Sequence, residues 1–466
     1  MDNEYVGIER NYSRRVIWYV IFYLFMLHLI LSIYGFYHPD VFLKGDRAYS
    51  RLKLIQEFLS LENSWSTYST FLQSHGILGD YFPQLVLYMI NGQTAVVFFQ
   101  VFLFLLSIVA MYRLVVLLTH SWKIATLSIF LYAHLPHTLV FPHQLVSEAL
   151  FVPLVVISFY YLGAAFLGRA FIFNTLMSAL MLGLATLIRP ITMLWPIIVV
   201  LAAVLFSVGN FRRNVIIQYL GVSTLPLIIW MSFMYVETGQ FSMGNSNHDI
   251  PHNLYNRVKL IIPTLPDSKQ EDIRHRYLSV GSEGERVLSV IDYLKFSLEV
   301  PTATVKHLSK DLAVFLGKSG INRIGFSYID AFEKTRKEMK DPDTGWRRMW
   351  QKKGTIFTIL WLMKNYPVIL AISLLGSTLF VALIGLSAIG AIKAIVMERR
   401  KSRERLVFFG LMVFFGIYVF SVSQVVDEMQ SRHRAPVEFI ICVFAAICIF
   451  HYRQLAIADE ENSNSN

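Results

Sequence analysis

Two carboxylates stand where the chain leaves long apolar runs. Asp46 lies in Asp40-Val-Phe-Leu-Lys44-Gly45-Asp46-Arg47-Ala-Tyr49, a polar loop that follows the apolar run 16–36. Glu148 lies in Pro142-His143-Gln-Leu-Val-Ser147-Glu148, at the mouth of the run 145–167. A carboxylate just outside a bilayer can take a proton from a hydroxyl, with Asp40 as the alternative base in the same loop. It can also simply be solvated. An ionisable group at the depth of Glu148 costs free energy unless it is paired or used. The plainer role for Glu148 is an ion pair with Arg189 or Arg434 that locks helices together. On one membrane face, Asp46 and Glu148 could share a divalent cation, Mg²⁺ or Mn²⁺, through oxygen ligands.

Arg189, in Leu187-Ile-Arg189-Pro190, and the trio Arg432-His433-Arg434 lie at the ends of apolar runs. A guanidinium fork matches phosphate oxygens two at a time, although arginines at such ends also snorkel to the interface. With two acids on the same face, Arg189, Arg432 and Arg434 suggest a phosphate site, and Lys44 is a further cation for it. His134 and His137 are spaced to share one helical face, with His143 close by. A zinc site would want another ligand at a clear spacing, and none is present, so interfacial packing is the expected role. No P-loop, dinucleotide fingerprint or nucleophile elbow occurs, so soluble nucleotide chemistry has no support.

The elements that must position these residues are membrane helices. The chain has 466 residues, of which 55% are hydrophobic and only 16% charged, a membrane protein's balance. Apolar runs of about 20 residues, each long enough for a hydrocarbon core of about 30 Å, number about ten. They cover 16–36, 94–118, 124–140, 145–167, 171–188, 191–208, 215–236, 367–395, 406–426 and 435–450. The first reads as a retained signal-anchor. The net charge of +10 fits basic cytoplasmic loops and contacts with membrane lipids, not nucleic acid. Cys442 and Cys448 lie in the last run and read as small core residues. The expected organisation is an N-terminal bundle over 1–236 with a first outer loop at 37–91. An outer helical region over 237–366 follows, then C-terminal spans with a polar tail over 367–466. Within the outer region 267–277, 292–300, 304–316 and 330–340 have helical patterning, and 354–364 reads as an interfacial helix. Arg14, Arg15, Lys123, Arg169, Arg212, Arg213 and the cluster 399–405 fall on one side of an alternating count. The positive-inside rule makes that side the cytoplasm and puts both termini there. Asp46, Glu148, Arg189 and Arg434 then share the outer face.

Several short pieces carry a resemblance. Gly45-Asp46-Arg-Ala-Tyr49, Gly79-Asp-Tyr81-Phe-Pro83-Gln-Leu85, Ser147-Glu148-Ala-Leu-Phe, Leu187-Ile-Arg189-Pro190 and Arg432-His-Arg434-Ala-Pro436-Val-Glu438 together resemble motifs of GT-C fold glycosyltransferases. The nearest group is the bacterial lipid-carrier-dependent enzymes related to protein O-mannosyltransferases and the lipid A aminoarabinose transferase. Arg47 after Asp46 and Gln84 after Pro83 depart from that pattern. The resemblance implies a polyprenyl-phosphate sugar donor and a glycan, lipid or protein acceptor, with transfer outside the cytoplasmic membrane. It makes Asp46 the base, Glu148 a cation or sugar ligand, and the arginines the stabilisers of the departing phosphate. Tyr49, Tyr81 and His143 are candidate substrate contacts. No Asn-x-Ser/Thr sequon occurs in the outward segments, which favours a bacterial inner membrane. Two other readings compete: a polysaccharide polymerase using a lipid-diphosphate repeat unit, and a lipid-linked sugar flippase or transporter. The transporter predicts ionisable residues deep within the spans, and almost all charged groups here sit at span ends.

Overall fold

The computed structural model describes residues 2–38, 46–60, 78–206, 213–239, 241, 246–278, 288–317, 360–399, 402–426 and 431–450. Side chains within 2–14, 46–51, 78–83, 213–214, 246–253, 314–315 and 423–433, and those at 238, 290 and 317, fall outside that description. The described chain is all-α. The helices are α1 (Asp2–Tyr37), α2 (Asp46–Ser60), α3 (Leu78–Thr119), α4 (Trp122–Ala133), α5 (Pro136–Val140), α6 (Glu148–Phe166), α7 (Phe171–Ile188), α8 (Trp195–Leu205) and α9 (Arg213–Thr238). There follow α10 (Ser246–Ile261), α11 (Asp267–Leu278), α12 (Val290–Glu299), α13 (Pro301–Gly317), α14 (360–365), α15 (Pro367–Glu398), α16 (Arg403–Val426) and α17 (438–450). Among the described residues, seven helices are long and apolar enough to cross a membrane: α1, α3, α6, α7, α9, α15 and α16. The remaining expected spans are short or broken. The pair α4–α5 bends by 65°, and α8 and α17 are short.

The core is built around α6. Its sequence is apolar all round, so it is buried on nearly every side. It packs between α7 and α3, with α16 and the 3-10 turn Ser431–Val437 closing over it. Small residues set the closest approaches, as they do where helices pack in lipid. A Cβ on Gly183 of α7 would stand 2.5 Å from the Ser223 carbonyl of α9. A Cβ on Gly390 of α15 would run into the Phe444 carbonyl of α17.

Two breaks differ from the sequence expectation. α3 begins at Leu78, inside the expected loop 37–91, and changes direction at Asn91-Gly92. Gly92 has φ +57°, the left-handed conformation that glycine adopts without a Cβ clash. The second break corrects the reading of His134 and His137 on one helical face. α4 ends at Ala133 and Pro136 starts a new helix after the bend, because proline suits the first position of a helix and not its interior.

Residues 246–278 and 288–317 form a helical region with its own core. Leu254, Val258, Ile261, Ile273, Phe296 and Val300 pack on one another. This cluster gives the amphipathic helices an apolar partner surface within the region itself. Ser289 caps α12, accepting from the Asp292 amide and donating to its carboxylate at 2.6 Å. That bond, with Lys295 nearby, holds Asp292 below the usual carboxylate range. Pro301 opens α13. α10 lies on α16, and α13 lies on α15 and the 431–437 turn. Buried Arg257 joins the two through Asp311 at 2.7 Å. The expected helix at 330–340 lies outside the described residues, as does the first part, 354–359, of the one expected at 354–364, whose remainder falls in α14.

At the far end of the bundle the turns gather cations. His120, after α3, contacts Arg405 at the start of α16, and Arg405 lies 3.8 Å from Glu398 at the end of α15. Burial first, then the Arg405 and Arg169 charges, keep the His120 imidazole below its ordinary pKa. Glu148 and Arg169 flank opposite ends of α6, so the Glu148 mouth and the His120 turn are on opposite faces.

Candidate functional site

Proline chemistry and helix ends place the first charged pair. The residue before a proline is pushed to extended backbone, so α7 stops at Arg189, φ −144° and ψ 118°, ahead of Pro190. Glu148 is the first residue of α6. Arg189 Nη1 lies 2.8 Å from Glu148 Oε1, and Ser147 Oγ donates to Glu148 Oε2 at 3.3 Å. Each charge also suits its helix end, a carboxylate at an N-terminus and a guanidinium at a C-terminus. Glu148 is buried, whereas the Arg189 side chain keeps 17% of its surface exposed and lies 5.9 Å from the Phe151 ring.

A second charged group sits beside it. Glu438 Oε1 accepts from His137 Nδ1 at 2.7 Å and from Arg434 Nε at 3.3 Å. The Arg434 guanidinium also lies 3.7 Å from the Phe380 ring centre. All three polar side chains are fully buried. A cavity of ≈ 20 Å³, lined by His137, Glu148, Tyr132 and Ala435 among others, lies between the two groups. It has room for about one water molecule.

The other candidates divide by where they lie. α2, which starts at Asp46, packs through Leu52 on Val96 and Leu145, and through Ile55 on Leu85, Trp230 and Met234. The helix led by Asp46 thus lies against the loop that leads into Glu148. The side chains of Asp46, Tyr49, Tyr81 and Arg432 fall outside the described residues, as do Asp40 and Lys44 altogether. His143 is buried within the bundle, its Nε2 2.8 Å from His28 Nδ1. His134 points elsewhere, to Tyr23 at 2.9 Å. Among the described residues no three His, Cys, Asp or Glu side chains converge as a metal ion would require. Glu148 already spends one oxygen on Arg189.

Sequence reasoning missed His137 and Glu438 as a pair. The Arg434–Glu438 spacing of i,i+4 on a helical turn was a usable signal. The partner of His137 was not readable, since the two residues stand 301 positions apart.

No family model matches the chain, and no curated protein matches it. In structure it is similar to the archaeal oligosaccharyltransferase AglB from Archaeoglobus fulgidus in complex with an inhibitory peptide and a dolichol-phosphate. That likeness has a TM-score of 0.42 at 12% identity, over 96% of this chain and 52% of that one. It is also similar to an Archaeoglobus fulgidus oligosaccharyltransferase in the apo form, with a TM-score of 0.36 at 12% identity, over 82% and 43%. The chain spans about half the length of these proteins. Fold and site together define an all-α, multi-pass membrane protein with two buried charge clusters at one mouth of its bundle.

Proposed function

We propose that the chain is a membrane glycosyltransferase that moves a sugar from a polyprenyl-phosphate donor to a hydroxyl acceptor at the mouth carrying Glu148. The observation that carries this reading is the Glu148–Arg189 pair, with α2, the helix that starts at Asp46, packed through Leu52 against the same loop. Asp46 takes the acceptor's proton as the acceptor oxygen attacks C1 of the sugar. The bond between C1 and the phosphate oxygen breaks with inversion, and polyprenyl phosphate leaves with the bonding electrons. Arg189, whose guanidinium still reaches the surface, stabilises the charge on that phosphate. Arg432 and Lys44 supply further positive charge, and Arg434 backs the site from within. Tyr49 and Tyr81 contact the sugar or acceptor. A cation shared by Asp46 and Glu148 would need further ligands from outside the described residues. The side of action is the outer face of a bacterial cytoplasmic membrane.

The test uses purified protein in proteoliposomes with a short-chain polyprenyl-phosphate sugar. Asp46→Asn should insert normally and lose about 10²–10⁴-fold in transfer, the usual contribution of a general base. Near-normal transfer by Asp46→Asn would remove Asp46 from the chemistry. Wild-type protein that consumes only lipid-diphosphate repeat units would favour the polymerase.

A further inference from the structure

The backbone leaves regular α-helix between Phe141 and Ser147, directly ahead of Glu148. Irregular backbone inside a membrane bundle persists only where protein groups satisfy it. Side chains of α3 do so here, while α1 holds the loop's His143 side chain. Gln84 Nε2 donates to the Val146 carbonyl at 3.2 Å, and Gln100 Nε2 donates to the Gln144 carbonyl at 3.2 Å. From α1, His28 Nδ1 lies 2.8 Å from His143 Nε2, and Ser32 Oγ lies 3.3 Å from His143 Nδ1. Gln84, Gln100, His28 and His143 are all fully buried.

The two glutamines belong to one helix, and this gives the break in α3 a purpose. A straight helix would set residues 84 and 100 about 24 Å apart. Their acceptors, on residues 144 and 146, are separated by about 7 Å at most. Two glutamine side chains cannot close that difference. The change of direction at Asn91-Gly92 lets one helix hold the loop from both sides. Burying an amide in an apolar helix is costly without a bond, and a leucine at either position would bury more cheaply.

We infer that Gln84, Gln100 and His28 are positioning residues: they clamp the loop 143–146 and so fix the Glu148 carboxylate between Arg189 and the mouth. The inference rests on Glu148 being a functional acid. Gln84→Met and Gln100→Met keep side-chain length and remove the donors. Ser147→Cys provides a reporter, because Ser147 is buried and the native Cys442 and Cys448 are fully buried. In the Ser147→Cys background each methionine variant should raise labelling by a soluble maleimide about 10-fold. With Ser147 intact, each should lower turnover about 10-fold, the scale of a slightly misplaced group, and add no further loss to Glu148→Gln. Unchanged labelling in folded variants would overturn the clamp, whatever the protein catalyses. Raised labelling with unchanged turnover would keep the clamp's contacts but overturn the positioning role and the part given to Glu148. Losses that multiply with that of Glu148→Gln would also overturn it. Should Gln100→Met fail to fold, Gln84→Met and His28→Asn carry the same measurements.

Discussion

Glu148 and Glu438 are both buried acids paired with arginine, yet they should respond differently to neutralisation. The Arg189 side chain is 17% exposed and can take up water if Glu148 is lost. The Arg434 side chain is fully buried, and Glu438 lies against both it and His137. Removing one partner of a buried pair strands the other charge at a cost of about 3–5 kcal/mol. Glu438→Gln is therefore expected to lose several kcal/mol of stability, and Glu148→Gln clearly less. Thermal unfolding of both variants in one detergent checks the order, and a smaller loss for Glu438→Gln would contradict it. The residue scale is also where the sequence was partly legible. Glu148 and Arg189 stood out as charges at span ends, and their pairing was one of two partners weighed. His143 stood out as well, but its type and position said nothing of the His28 imidazole that holds it. Contacts between distant segments leave no trace in spacing.

Helices were easier to read than residues, because hydrophobic runs of span length announce themselves. The ends and breaks were harder. Polar Gln84, Asn91 and Gln93 hid the first part of α3 behind an apparent loop, and α10 was missed although Leu254, Tyr255, Val258, Ile261 and Ile262 stand at helical spacing. Nor did glycine spacing reveal which glycines pack. Gly385 and Gly390 both lie in α15, but a Cβ on Gly385 meets nothing within 4 Å, whereas one on Gly390 meets the Phe444 backbone. Backbone cannot move aside as a flexible side chain can. Gly390→Ala should push α15 off α17 and cost about 1–3 kcal/mol, the usual penalty of overpacking. Gly385→Ala should be neutral or stabilise by up to about 1 kcal/mol, since alanine is the better helix former. Melting temperatures of the two variants, measured side by side, decide whether close backbone approach or glycine itself matters in this helix.

At the scale of the molecule, the two ends of the bundle differ in what they gather. One end carries the Glu148–Arg189 pair, the Arg434–Glu438–His137 cluster and the helical region of 246–278 and 288–317, which reaches the 431–437 turn through α13. The other carries the His120, Arg169 and Arg405 turns. α6 sets the separation: its 19 residues span about 28 Å, close to the hydrocarbon thickness of a bilayer. Lys123 and Arg399 are exposed at the basic end, and Lys269 and Lys295 are exposed on the helical region. The excess of basic residues in the short turns predicts that Lys123 and Arg399 face the cytoplasm, and so that Lys269 and Lys295 face outward. Single cysteines at these four positions, in intact cells and in inverted vesicles, can be probed with a membrane-impermeant maleimide. Lys269→Cys and Lys295→Cys should react only in intact cells, and Lys123→Cys and Arg399→Cys only in inverted vesicles. Labelling of all four from one side would contradict the separation of the two faces. The opposite pattern would keep the fold but turn the molecule over. Its donor and acceptor would then have to be met in the cytoplasm, and the proposed outer-face transfer would fail.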